Sequence, residues 1–461
     1  MLSINYYTDH VKVPNEWLRI GEDTGRKDER MSSMGKRLRK LRKEKGLTQT
    51  EVTGGDYSKE YVSQVELGKT KPSRKAMILF AKHLDVDESY FETGVDLAGR
   101  ERYENLVAKG EASIERKEYA EAIRAFEEAR TIAEKAENKD LLWRAEVGRG
   151  WALHFLGKVR EALNLLTQAR SYYGDQHPDS LELATVLYRM GCGRDALGDS
   201  KLAILLLEEA LKILDRGATP GDSLRIRVLR RMAALHTERN DLEAAGEAAD
   251  AALQLARRLE DKRAIAETYW EASILEERRR EFLKAANYAL QARDIMRELG
   301  DQQDTAKLLN NLGDIKNHMR EFTEAARYFQ EGLGILRTVD DPETRSYLLN
   351  GLATAMLGEK QPEKSLELSS KSLAIMEGRE GAQSLTGSSH MVRARAYLAT
   401  GKLEEARAEV DEAREIFTSL EAPHFLSAAL LLEGDILAEA GMTTEAGQAY
   451  RRSSELLQVV G

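Results

Sequence analysis

A residue without bulk recurs nine times along this chain at nearly one interval. Ala122, Ala162, Ala203, Ala245, Ala285, Ala325, Ser365, Ala406 and Ala446 follow one another at 40, 41, 42, 40, 40, 40, 41 and 40 positions. Such a period describes one supersecondary unit stacked on the next rather than a single closed core. A small residue is needed where the two helices of a hairpin cross, because a larger side chain forces their backbones apart. The pattern therefore predicts an all-α chain whose main body is an α-solenoid of about nine helical hairpins.

Other marks travel with the first. Twelve residues upstream stands a second small residue, from Gly110, Gly150 and Gly191 to Gly434. Three upstream lies Tyr119, Val159, Leu242, Phe282, Phe322 or Leu403 in six units, with Ser200, Pro362 and Thr443 in the others. Seven downstream comes Ala129, Ala169, Ala210, Ala252, Ala292, Gly332, Ser372, Ala413 or Ser453. With these spacings, residues 101–461 resemble the tetratricopeptide repeat family. That family's usual period is about 34 residues, so each helix here is expected to be about three residues longer.

The basic charge is concentrated in one segment. The chain has a net charge of −9, yet from Met34 to Leu84 nine Lys and four Arg face five acids. A basic head on an acidic body attracts a polyanion at the head alone. Within it, Gly35–Gly46 sets Leu38 and Leu41 inward and cations outward, Thr48 caps Gln49 through Val52, and Ser58 opens a new helix after Gly54-Gly55. Two short helices across a glycine turn describe a helix-turn-helix.

Leu47-Thr48-Gln49, the string Tyr61-Val62-Ser63-Gln64-Val65-Glu66 with Gly68, and Pro72-Ser73 resemble the phage-repressor-like (Xre/Cro) class. The resemblance implies double-stranded DNA as a partner, with Ser58 to Gln64 in the major groove and Lys59, Glu60, Tyr61 and Gln64 nearest the bases. Gln49, Ser63, Lys69, Thr70 and Lys71 would lie near phosphates, and Glu66 would pair with Arg42. Amide and ammonium donors at a helix N-terminus suit both phosphates and base edges. Residues 34–94 are accordingly read as the DNA-binding domain, 95–104 as a linker and 105–461 as the solenoid. Residues 1–33, with Tyr6, Tyr7, Trp17, Leu18 and Ile20, are read as a flexible extension.

In repeats of this type the first helix of each hairpin lines the concave side. The positions just before its small residue hold Gly148 and Arg149, Tyr188 and Arg189, Arg230 and Arg231, Trp270 and Glu271, Asn310 and Asn311, then Asn350 and Gly351. The arginines, joined by Arg144 and Arg227, form a cationic patch suited to an anion. Asparagine presents a donor and an acceptor and can hold a peptide backbone whatever its sequence. The expected ligand is a short peptide in contact with Arg149, Arg189, Arg230, Arg231, Trp270, Asn310, Asn311 and Asn350. Asp314 and Asn317 share that face. Tyr450, Leu456, Leu457, Val459 and Val460 on the last helix suggest a homodimer edge, although Tyr450 also fits packing back onto the preceding hairpin.

No phosphate-binding Gly-Lys-Ser/Thr loop occurs, the eight histidines lack metal-ligand spacing, and Cys192 has no partner. No enzyme and no cofactor are expected. No run approaches the roughly 18 apolar residues of a membrane span, so a cytoplasmic protein is expected. A head of this class followed by nine long repeats resembles the peptide-pheromone-sensing regulators of the Rap/NprR/PlcR/PrgX group. The resemblance implies a transcriptional regulator whose operator binding changes with a signalling peptide. The alternative is an interaction scaffold for a folded partner such as a phosphorelay protein.

Overall fold

A computed structural model describes residues 27–217, 221–379 and 381–460, and among these every regular element is a helix. The N-terminal head comprises α1 (Lys27–Glu44), a 3-10 turn (Glu51–Thr53), α2 (Lys59–Glu66), α3 (Arg74–Leu84) and α4 (Ser89–Thr93). The expected second helix is thus a single turn. Thr48 Oγ1 accepts from Glu51 N at 3.2 Å and Glu51 Oε2 accepts from Thr48 N at 2.7 Å, a reciprocal cap. Leu38, Val52, Val62, Val65, Phe80, Leu84 and Phe91 form the head's core.

Nine hairpins follow: α5 (Leu97–Glu115) with α6 (Tyr119–Lys135), α7 (Lys139–Phe155) with α8 (Val159–Gln176), α9 (Leu181–Ala196) with α10 (Ser200–Arg216), α11 (Asp222–Glu238) with α12 (Leu242–Arg258), α13 (Lys262–Arg278) with α14 (Phe282–Glu298), α15 (Gln302–His318) with α16 (Phe322–Ile335), α17 (Pro342–Gly358) with α18 (Pro362–Met376), α19 (Gln383–Ala399) with α20 (Leu403–Ser419) and α21 (Pro423–Glu439) with α22 (Thr443–Val460). Contacts divide the chain into two compact units, and the division falls within α11, after Val228. The stretch 95–104, read as a linker, holds the opening turns of α5.

The repeated residues do what their size allows. The nine positions from Ala122 to Ala446 are at most 2% exposed, and at one crossing Ser273 Oγ donates to Ala285 O at 2.9 Å. The residue three before each of them opens the second helix in every hairpin. Two residues earlier again, the backbone turns left-handed in all nine: Lys117, Gly157, Gly198, Asn240, Arg280, Arg320, Lys360, Gly401 and Gly441. This is the helix C-terminal cap that reverses the chain. Gly148 and Gly351, expected at the inner wall, are instead buried beneath rings. An added Cβ would lie 2.4 Å from Phe126 at Gly148 and 2.3 Å from Phe329 at Gly351.

First helices of successive hairpins also touch one another, α5 with α7 and α7 with α9 in one unit, α15 with α17 and α17 with α19 in the other. They form the inner layer of each unit. In the first unit that layer carries a ladder in which an arginine from each helix covers a ring of the one before. Arg144 lies 5.9 Å from Tyr103, Arg189 5.4 Å from Trp151 and Arg227 5.5 Å from Tyr188.

Ala285→Leu is expected to cost about 1–3 kcal/mol through overpacking at the crossing. Leu283→Ala, on the 75% exposed face of the same helix, should fall within about 0.5 kcal/mol of the parent. Urea unfolding followed by circular dichroism measures both.

Candidate functional site

In the head, Ser58 caps α2 by accepting from Tyr61 N at 3.2 Å. The cap fixes the end of the helix that presents Lys59 and Glu60, both exposed, with Gln64 exposed one turn on. Tyr61 is half-buried, stacks on Tyr57 at 4.9 Å, and its hydroxyl accepts from Ser73 N at 3.3 Å. Ser63 is half-buried, Lys69 and Lys71 are exposed, and Thr70 Oγ1 donates to Gln64 Oε1 at 3.1 Å.

Arg42 and Glu66 meet as expected: Nε to Oε1 is 2.6 Å and Nη2 to Oε2 is 3.1 Å. Arg42 Nη1 also donates to Leu47 O at 2.7 Å. Glu66 is 6% exposed, so this two-toothed contact ties α2 to α1 where water competes little. Gln49, expected near phosphate, sends its Nε2 to Glu66 Oε2 at 2.9 Å. The amide completes the acceptor set of a buried carboxylate.

The head is also held to the junction between the first and second hairpins. Asn138 Nδ2 donates to Thr93 O at 2.8 Å, while Asn138 Oδ1 caps α7 by accepting from Leu141 N at 3.1 Å. Gly94 has φ +76°, and a Cβ there would stand 2.4 Å from Ala136 O. Lys40 lies 3.5 Å from Glu137.

The expected ligand residues divide between the two units, Arg149 and Arg189 in the first, the other six in the second. Most arginines have protein partners. Arg149 donates to Glu146 at 2.8 Å. Arg189 is 7% exposed, gives Nη1 to Val147 O at 2.9 Å, and burial with Arg227 nearby lowers it to about 10. Arg230 pairs with Glu267 and lies 3.6 Å from Glu271. Arg231 is half-buried. Trp270 is half-buried and packs beside Tyr269, Met296 and Leu308.

The asparagines are tied by their nitrogens. Asn310, 2% exposed, donates Nδ2 to Asp314 Oδ2 at 2.9 Å. Asn350, 7% exposed, donates to Ser389 Oγ at 2.7 Å. Asn317 donates to Gly351 O at 3.1 Å, and Asn311 Nδ2 is 3.5 Å from Ser273 Oγ. The Oδ1 atoms of Asn310, Asn317 and Asn350 have no donor.

One acidic group was missed by sequence reasoning. His318, set aside as scattered, places Nδ1 3.0 Å from Glu277 Oε1. Both stand beside Asp314, whose carboxyl is raised to about 7 by burial and by Glu277, against His318 and Asn310. Spacings of four, three and one among Asn310, Asp314, Asn317 and His318 were the signal.

Residues 38–91 match the helix-turn-helix family. The N-terminal domain is a helix-turn-helix. Lys59 and Gln64 lie on the exposed face of its α2. Among solved structures, the chain is similar to the apo form of the quorum sensor NprR from B. thuringiensis, with 14% identity over 78% of this chain and 97% of that one and a TM-score of 0.59. It is similar to a Rap protein complexed with competence and sporulation factor, with 17% identity over 77% and 98% and a TM-score of 0.56. It is also similar to a signal transduction ATPase with a tetratricopeptide repeat sensor from Pyrococcus horikoshii, with 15% identity over 93% and 73% and a TM-score of 0.54. These likenesses establish the fold behind the helix-turn-helix as a tetratricopeptide-type solenoid. No curated protein sequence matches the chain. Among the described residues no helix is long and apolar enough to cross a membrane.

Tyr450 packs back onto its own hairpin, against Gly434, with its hydroxyl donating to Asp435 Oδ1 at 2.9 Å. The side chains of Leu457, Val459 and Val460, and all of Tyr6, Tyr7, Trp17, Leu18 and Ile20, lie outside the described residues.

A free aspartate titrates near 4, so with Asp314 at about 7 the folded chain keeps a proton that the unfolded chain has lost between those values. Stability therefore falls as pH rises through that window. Asp314→Asn should raise the melting temperature more at pH 8 than at pH 5, measured by thermal denaturation at both.

Proposed function

We propose that this chain is a non-catalytic, one-component transcription regulator that reads a duplex operator with α2 and takes a short peptide on the inner layer of its second unit. The observation that carries the reading is the joining of two parts in one chain. A capped, exposed helix with Lys59, Glu60 and Gln64 at its surface belongs to a head tied by Asn138, at the start of the second hairpin, to a nine-hairpin solenoid. NprR is described as a quorum sensor, and the Rap protein was solved with a signalling factor. Those descriptions support a sensing role for the same fold here.

The peptide side rests on the asparagines. With their nitrogens engaged inside the protein, Asn310, Asn317 and Asn350 keep buried carbonyl oxygens without a donor, which a peptide reaches only if the surrounding side chains shift. Such acceptors suit the backbone N–H groups of an extended peptide, independent of its side chains. Trp270 adds apolar surface beside them. The arginines belong to this site less than their spacing implied, since Arg149, Arg189 and Arg230 are engaged internally. Peptide binding acts on the operator by favouring one arrangement of the solenoid. A homodimer would match the two half-sites that regulators of this class read.

Selection from random duplexes by the full chain tests the DNA reading. A single preferred sequence is expected, and Lys59→Ala with Gln64→Ala should relax it by about 1–3 kcal/mol per lost base contact. A preference that both substitutions leave unchanged refutes α2 as the reader.

A further inference from the structure

At the end of α2 the chain turns back and brings Thr70 beside Gln64. Gly68 adopts φ +70°. Its N–H donates to Val65 O at 3.0 Å, and the N–H of Lys69 donates to Gln64 O at 2.8 Å. These two bonds are the paired closure of a helix by a left-handed glycine. Gln64 is thus the residue whose own carbonyl anchors the turn. Two residues past the glycine, Thr70 Oγ1 donates to Gln64 Oε1 at 3.1 Å. The backbone of the turn, which only a residue tolerant of positive φ completes without strain, sets the hydroxyl against the amide.

That bond changes what the amide can read. A free glutamine identifies adenine with both ends at once, its oxygen accepting from N6 and its nitrogen donating to N7. Here one lone pair of Oε1 is taken by Thr70 and the rotation of the amide is set by the same bond. The two hydrogens of Nε2 remain for a base, and paired acceptors in the major groove belong to guanine, as O6 and N7. Gln64 is also the sole amide side chain in α2. Its neighbours read the same pair. The exposed ammonium of Lys59 only donates and suits guanine, and the exposed carboxylate of Glu60 only accepts and suits the N4 amine of cytosine. Tyr61, the fourth residue expected near the bases, is held to the bundle by Tyr57 and by Ser73 N.

We infer that Thr70 is a positioning residue for base recognition. By holding Oε1 it makes Gln64 a reader of guanine instead of adenine, and the operator half-site is specified at G·C pairs. The inference rests on the reading of α2 proposed above and adds to it the bases that the operator presents.

Selection from random duplexes by the full chain, repeated with Thr70→Val and Thr70→Ser, tests it. Valine keeps the shape and removes the hydroxyl, whereas serine keeps the hydroxyl. The parent and Thr70→Ser are expected to select guanine at the position that Gln64→Ala relaxes. Thr70→Val should raise adenine over guanine at that one position by about tenfold, while the positions read by Lys59 and Glu60 keep their bases. Thr70→Val that weakens every duplex alike and retains guanine makes Thr70 a phosphate contact or a structural prop, and overturns the inference. So does adenine or cytosine at the Gln64 position of the parent, a result that decides the matter even if Thr70→Val folds poorly. So does a Gln64→Ala that relaxes no position while Lys59→Ala relaxes one. All three outcomes leave α2 as the reader. A preference unchanged by both Lys59→Ala and Gln64→Ala overturns α2 as the reader, and this inference with it.

Discussion

Two helices approach closely only where neither puts bulk between them, and the solenoid depends on that contact at Ala122 and its eight counterparts. Alanine gains little from burial compared with leucine, so these positions are not where most apolar stabilisation arises. Their role is to set distance. Once the backbones are close, larger side chains can lodge between neighbouring first helices, as Phe126 does at Gly110 and Gly148 and Phe329 at Gly313 and Gly351. The rings then fix how one hairpin sits on the next.

The same closeness explains the buried polar groups. Where alanine gives way to serine seven residues past the crossing, the hydroxyl bonds locally, whereas Ser365 Oγ at a crossing itself has no partner. Ser372 bonds with Ser346 O at 3.2 Å and Ser389 at 3.0 Å, and Ser453 with Ser427 O at 3.0 Å. Asn350 joins the first of these chains through Ser389. A seam of hydroxyls holds two helices at one spacing and one register, because a shift breaks bonds that water cannot reach to replace. The buried oxygens of Asn310, Asn317 and Asn350 are the part of this polar layer left without a donor.

Much of this was legible because steric rules are local. The crossing residue, the residue opening each second helix and the head's pattern of leucines and valines could be read directly, as could the Arg42 and Glu66 pairing implied by resemblance. The turns were half legible: Gly157, Gly198, Gly401 and Gly441 announce a left-handed residue, whereas Lys117, Arg280, Arg320 and Lys360 adopt it without any compositional sign. The inner layer was least legible. Arg144 to Glu104, Arg230 to Glu267 and Asn350 to Ser389 join residues 40, 37 and 39 positions apart. Each separation is close to one repeat. Side chains that looked available within their own hairpin are therefore answered from a neighbouring one, and only a reading that adds or subtracts a period finds the partner.

The head obeys the same logic at its attachment. Asn138 uses both ends of one amide, its oxygen starting α7 and its nitrogen holding Thr93 O. Gly94 lets the backbones meet at a separation no side chain would allow. A donor that also caps a helix cannot be displaced without unsettling that helix, since the first N–H groups of α7 lose their acceptor together with the link. The helix α2 is in turn fixed to α1 by Glu66, which binds Arg42 and Gln49 at once. From the start of α7 in the inner layer to the surface that presents Lys59 and Gln64, the path runs through hydrogen bonds rather than through a free tether. A displacement of the α7 N-terminus is therefore transmitted to the head through Thr93 and Gly94 instead of being absorbed by slack chain.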